Sequence, residues 1–244
     1  MFKISDMKNK ILLPLSILAT ITIVLAACVK DVKETKAAAP PVVNNSWKEE
    51  FTNVGEIGRT GWVIVNNSNL PGLMSWRQGL YEPSNKFSLG GPEVLGFPAF
   101  SSEKSPNDFI SIDMYSGSGA SKLSAWLITP VTTIKNGDQF VFYTRASGAF
   151  GEDRLEVRAN FTSSSANVGT TETSIGDFTK VLFDINPSFN GSYPLEWTNF
   201  TYTVAGVTGT ISGRFAFRYF IPDGGPSGSF SDMLGVDAVS FISK

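Results

Sequence analysis

The sequence predicts an all-β protein: a single jelly-roll-like antiparallel β-sandwich that follows a signal peptide and a short tether. Three observations carry that expectation. Strand-length runs after Trp47 alternate apolar and polar residues, the period of a half-buried strand. Clusters rich in Gly, Ser, Asn and Pro separate these runs, at 116–121, 160–173 and 223–231. No segment after Cys28 sustains a helical period over ten residues. Strand-dominated runs with turn signals between them suit a sandwich or jelly roll, and a chain of this length suits one such domain.

The chain starts with an address. Lys3, Lys8 and Lys10 form a positive region ahead of an apolar run at 11–27, which ends on the small residues Ala26 and Ala27. That is the pattern of a secretory signal peptide over 1–27, and the run is at the short edge of what spans a bilayer. An uncleaved membrane anchor is the alternative. Leu25, Ala26, Ala27 and Cys28 resemble the bacterial lipobox, which puts Cys28 forward as the lipidated residue and the membrane as a partner through that lipid. A free cysteine after an ordinary signal site is the plainer reading. Each buried methylene of an acyl chain contributes about 0.8 kcal/mol, so several chains hold a protein on a membrane. Residues 28–45 lack an apolar period and contain Pro40 and Pro41, which predicts an extended tether. Lys30, Asp31, Lys33 and Glu34 loosely resemble surface-export signals of Bacteroidota lipoproteins. The expected location is the cell envelope, on the outer membrane and facing outward.

The domain at 46–244 is then read strand by strand. Residues 139–144 form a β-rich run after a turn at Asn136, Gly137 and Asp138. Leu155 and Val157 face inward between charged neighbours, and Val181, Phe183 and Ile185 share a side. Phe200, Tyr202 and Val204 share a face. In 213–221, Phe215, Phe217, Tyr219 and Ile221 take one face and Arg214, Ala216, Arg218 and Phe220 the other. The run at 234–242 closes the domain.

Composition excludes several chemistries. Charged residues make up 17% and aromatics 12%, with 19 Phe, ample for a large core. Loss of Lys3, Lys8, Lys10 and Asp6 with the signal peptide takes the formal charge from -2 to -4, without a basic block, so no nucleic-acid partner is expected. Cys28 is the sole cysteine, which rules out a disulfide framework and, once lipidated, thiol chemistry. Histidine is absent, which removes Ser-His-Asp catalysis and histidine zinc sites. Gly224, Gly225 and Pro226 form a turn and not a phosphate cradle. No cofactor is required on this reading.

Carboxylates and aromatics remain as candidates. Glu49 and Glu50 are expected to precede the first strand, Glu152 and Asp153 precede Leu155, and Asp237 lies in the last run. Strict alternation places Asp237 on the face of Val239 and Phe241, where a carboxylate must be paired, hydrogen-bonded or bound to a cation. First and last strands of a jelly roll lie near each other, so Glu50 and Asp237 are candidates to share a calcium ion. An edge position, or an ion pair with Arg214 or Arg218, is the alternative. Trp62 and Trp126 stand in core-like company, whereas Trp76 sits in a loop-like stretch and is expected to be exposed, with Tyr81 beside it as a ligand-binding candidate. Asp153 and Glu156 are the weak candidates for a hydrolytic carboxylate pair.

Several stretches in order resemble one family. They are 61–68 (GWVIVNNS), 76–79 (WRQG), 126–130 (WLITP), 153–158 (DRLEVR), 176–178 (GDF), 185–187 (INP), 213–220 (GRFAFRYF) and 235–237 (GVD). Together they resemble the bacterial choice-of-anchor J domains, which are related to the cleaved-adhesin domains of Bacteroidota surface proteins. The resemblance implies a jelly-roll sandwich displayed outside the cell, of a kind that binds carbohydrate or adheres, some with structural calcium. The functional expectation is a non-catalytic envelope lipoprotein whose sandwich binds glycan or surface protein. The alternatives are a carboxylate-based glycoside hydrolase or lyase, and a structural subunit of an envelope assembly.

Overall fold

The computed structural model describes residues 45–81, 86–90, 94–149 and 151–244. The signal peptide, Cys28 and the tether up to residue 44 lie outside the described residues. Fourteen strands lie among those described. In chain order they are β1 (Trp47–Glu49), β2 (Val63–Asn66), β3 (Arg77–Gln78), β4 (Lys86–Phe87), β5 (Val94–Leu95), β6 (Ile110–Asp113) and β7 (Ser121–Ile128). They continue with β8 (Thr132–Ile134), β9 (Gln139–Ala146), β10 (Leu155–Asn160), β11 (Lys180–Ile185), β12 (Thr198–Thr203), β13 (Ile211–Gly224) and β14 (Met233–Ile242).

Two antiparallel sheets form the sandwich. One has the order β12-β9-β14-β6-β3 with β1 also on β14, and the other β11-β10-β13-β7-β2 with β8 also on β13. The chain passes repeatedly from one sheet to the other, the winding of a jelly roll. Strands β4 and β5 make a separate two-stranded ribbon.

The core forms where inward residues of β9 meet those of β13. Phe215, Phe217, Tyr219 and Ile221 are all fully buried, as alternation requires. Phe140 stacks on Phe215 with centroids 4.2 Å apart, and Phe142 meets Phe217 edge to face at 5.1 Å. Each such pair is worth about 0.5–1.5 kcal/mol beyond its buried area. Phe200 and Tyr202 pack on the same core, and Leu155 and Val157 close it.

Bulges overturn two of the face assignments. On β14, Asp237 lies opposite Tyr143 and Ser240 opposite Val141, so three residues of β14 span two of β9. Ala238 takes φ 48° to make the bulge. One extra residue flips the parity of a strand. Leu234 and Val236 therefore face the core before the bulge, and Val239 and Phe241 after it. Asp237 points away from them, against the loop at Ser101. On β11 the register against β10 skips Leu182, which leaves Val181 45% exposed instead of beside Phe183 and Ile185.

Trp76 is the third correction. It is 4% exposed and packs in the main core, with its indole N–H donating to the Ala125 carbonyl at 3.2 Å. A large aromatic inside a glycine- and serine-flanked loop is here a core residue. Trp62 and Trp126 are buried as expected.

The outer faces are covered too. Phe97, Phe109, Met114, Tyr115 and Met233 form a small core on the outside of the first sheet. Val168 and Phe178, from the loop between β10 and β11, cover Trp126, Ile128 and Ala216 on the second. Arg218 is buried beneath that loop, 3.8 Å above the Phe220 ring, and bonded to Glu156 at 3.2 Å and to the Glu172 carbonyl at 2.6 Å. Burial lowers its guanidinium to about 10, and the Glu156 carboxylate opposes that shift.

Strand direction defines two ends. Trp47 pairs with Phe241, so the domain begins where β14 finishes. Ala146 lies opposite Leu234 and Ile185 opposite Leu155 at the other end. The connections β9–β10, β11–β12 and β13–β14 gather at that far end.

Candidate functional site

Asp153 is the residue from which the far end is built. It precedes β10 with the inward parity of Leu155 and Val157, so its carboxyl turns into the end of the core and is 1% exposed. Oδ1 accepts hydrogen bonds from the Tyr219 hydroxyl at 2.6 Å and from the Asp232 N–H at 3.0 Å. Oδ2 is buried without a hydrogen-bond partner among the described residues. Burial raises the Asp153 carboxyl to about 8, and the nearby Asp232 charge adds to the shift against the two hydrogen bonds. At neutral pH the group is mostly a neutral acid, able to donate as well as accept.

Other buried polar groups lie near this carboxyl. Asp232 accepts from the Ser147 hydroxyl and from the Ala149 N–H at 2.8 Å. Asp113, at the end of β6, accepts from the Tyr115 N–H at 2.8 Å and pairs with Arg77. Burial still raises Asp113, with the Arg77 charge acting against it. The Tyr193 and Thr144 hydroxyls share a hydrogen bond of 2.7 Å, and burial pushes the Tyr193 phenol well up.

A cavity of about 410 Å³ opens over Asp153. Glu152, Tyr193, Leu195, Ser229 and Phe230 line it, with Gly148, Gly151 and Gly191 at its edges. Glu152 is fixed through Oε2, which accepts from Asn186 Nδ2 and from the Gly191 N–H, both at 3.0 Å. Phe230 stacks on Phe189 at 4.4 Å and so presents a backed aromatic surface. Gly148 adopts φ +67°, a backbone conformation that favours glycine, beside the Leu195 side chain. The β13–β14 loop is held by Phe230 N–H to Asp223 O and Ser231 N–H to Glu152 O. On its other side lies a second cavity of about 340 Å³, edged by Pro71, Leu73, Leu89 and Pro226, with Leu73 88% exposed.

Lys48 lies near both members of the expected calcium pair. Lys48 forms an ion pair with Glu50, and its charge also lowers the Asp237 carboxyl. Apart from the Lys48 ammonium on Oε1, the buried Glu50 oxygens have no hydrogen-bond donor among the described residues. Asp237 accepts from the N–H groups of Ser101 at 3.0 Å and Ala238 at 2.6 Å. Burial nevertheless raises it to about 7. Among the described residues no group of three or more metal-ligating side chains converges. The alternative ion pair of Asp237 with Arg214 or Arg218 is not formed: Arg218 takes Glu156, and Arg214 donates to the carbonyls of Ser164, Gly61 and Thr129.

The aromatic candidates are not brought together. Trp76 lies in the core and offers no face to a sugar ring. Tyr81 is half-buried, with its N–H held by Asn107 Oδ1, and the residues after it lie outside those described. Asp153 and Glu156 do not form a hydrolytic pair. They project to opposite faces of β10, and Glu156 is enclosed by Arg154, Arg158 and Arg218. Sequence reasoning missed Tyr193, Phe230 and the glycines as site residues. The inward parity of Asp153 was the available signal for the site.

No protein-family model matches this chain, and no curated protein matches it in sequence. Among solved structures, the K1 cleaved adhesin domain of Lys-gingipain from Porphyromonas gingivalis is similar at TM-score 0.46 and 16% identity, over 82% of this chain and 98% of that one. The K2 domain of the same protein gives 0.47 and 16%, over 81% and 99%. A family 11 carbohydrate-binding module from Clostridium thermocellum, in complex with a mixed-linked tetrasaccharide, gives 0.36 and 12%, over 82% and 96%. At TM-scores below 0.5 these likenesses decide nothing about this chain, and its own geometry carries the functional reading.

Proposed function

We propose that this protein is a non-catalytic lipoprotein of the cell envelope whose β-sandwich binds glycan or protein at the end opposite Trp47. One observation carries the reading. A cavity lies at the end opposite Trp47, and in it a buried carboxyl keeps an oxygen without a partner. A buried polar atom without a partner costs about 1–3 kcal/mol, a cost that an incoming hydrogen-bonding ligand relieves. Lipidation of Cys28 would fasten the chain to the outer membrane. The resemblance to choice-of-anchor J domains belongs to this reading.

Glu50 and Asp237 would hold a structural calcium in place of Lys48, whose side chain is 57% exposed and free to swing out. Bound there, the ion would supply charge to join β1 to β14 and to the loop at Ser101. Two measurements test the reading as a whole. The purified protein is screened on an array of glycans, and intact cells are photo-crosslinked and searched for a protein partner. A glycan signal or a specific partner is expected. A blank array together with an empty crosslinking search overturns it.

A further inference from the structure

We propose that the far-end cavity holds one hexose-sized residue of a neutral glycan, with its hydroxyls bonded to Glu152 and Asp153 and its apolar face against Phe230. The inference rests on the binding reading above and names the ligand class of that site.

Size comes first. Ligand cavities run from about 300 to 1,000 Å³. At about 410 Å³ this one suits a terminal sugar and not a polymer laid along a groove.

The open atoms come second. Oε2 of Glu152 is used by Asn186 and Gly191, and no described residue bonds Oε1. Oδ1 of Asp153 is used by Tyr219 and Asp232, and Oδ2 has no partner. The cavity therefore presents a carboxylate oxygen, which accepts, and an acid oxygen, which can donate when protonated. A sugar hydroxyl does both at once, and vicinal hydroxyls can address both carboxyls.

Charge excludes the competitors. None of the described residues lining the cavity is Lys or Arg, so a phosphate or uronate would face Glu152 without a counter-charge. The Phe230 ring, backed by Phe189, offers the flat apolar surface that the C–H face of a pyranose covers.

The test uses saturation-transfer NMR on the purified protein with glucose, galactose, mannose and N-acetylglucosamine and their disaccharides. Glucuronate, methylamine and calcium chloride serve as controls. At least one neutral sugar should bind. Ala149→Trp, at an exposed position beside the cavity, should weaken that binding at least tenfold, and Glu152→Gln about tenfold. Melting curves report whether Ala149→Trp is folded; if it is not, Glu152→Gln alone decides. Binding unchanged by these variants, absence of any neutral-sugar signal, or saturation by calcium, methylamine or glucuronate instead would overturn the proposal. A glycan that still binds after Ala149→Trp would leave the binding reading standing and remove only its assignment to this cavity.

Discussion

At the scale of single residues, the unusual groups are two buried carboxyls, Asp153 at the far end and Asp237 midway along β14. Asp153 is raised to about 8 from an ordinary value near 4, chiefly by burial. The folded state therefore keeps a proton that the unfolded chain has released, and this group's contribution to stability falls as pH rises from about 4 to about 8. Asp232, Asp113, Glu152, Tyr219 and Tyr193 are the titratable groups around it. Asp153→Asn removes the titration, so its melting temperature should improve relative to the parent by a few degrees between pH 5 and pH 8. About 1 kcal/mol corresponds to roughly 2–4 °C in a domain of this size. A difference between the two melting curves that does not change with pH would refute the titration. Midway along β14, the calcium assignment predicts that EDTA lowers the melting temperature and that Glu50→Gln abolishes the effect. A melting temperature indifferent to EDTA would leave Lys48 as the only cation Glu50 needs.

At the scale of strands, the alternation of β13 translates directly into packing. Phe217 is fully buried among Phe140 and Phe142, so Phe217→Ala should cost about 3–5 kcal/mol in denaturant unfolding. Val181 tests the bulge on β11. Alternation places it beside Phe183, whereas the shifted register exposes it, so Val181→Ala should stay within about 0.5 kcal/mol. A cost above about 1 kcal/mol would restore the unbulged register. These two residues show what the sequence made legible. A period-two pattern fixes which residues share a face only until a strand gains one residue, and no local signal at Leu182 or Ala238 marks that insertion. Ala238 makes its bulge at a positive φ that glycine would have advertised. Trp76 was hidden for a different reason. Its burial depends on β7 supplying the Ala125 carbonyl 49 positions away, a long-range partner that no window of sequence contains. The cavity was illegible likewise, because three connections distant in the chain meet only after the sheets close.

At the scale of the molecule, the covered outer faces leave the sandwich with two kinds of end and few open sides. The loop over Trp126 and the segment over Phe109 occupy the broad faces, so the far-end loops carry the two described cavities. Cys28→Ser should release the protein from the membrane fraction into the soluble one, while the purified domain keeps its melting temperature. Membrane retention by the variant would refute lipid anchoring and favour an uncleaved apolar segment. A short first strand beside the last one has a mechanical meaning. Trp47, Lys48 and Glu49 lie antiparallel against Phe241, Ser240 and Val239, and the N–H of Ser243 donates to the Ser46 hydroxyl at 3.0 Å. A pull on the chain ahead of Trp47, resisted by a grip at the far end, runs along the axis of β1. Its bonds to β14 are then loaded together in shear and not opened one by one like a zipper. Three residue pairs and the indole of Trp47, bonded to Thr132 of the opposite sheet, share that load. This three-residue first strand is thus where tension would first be felt.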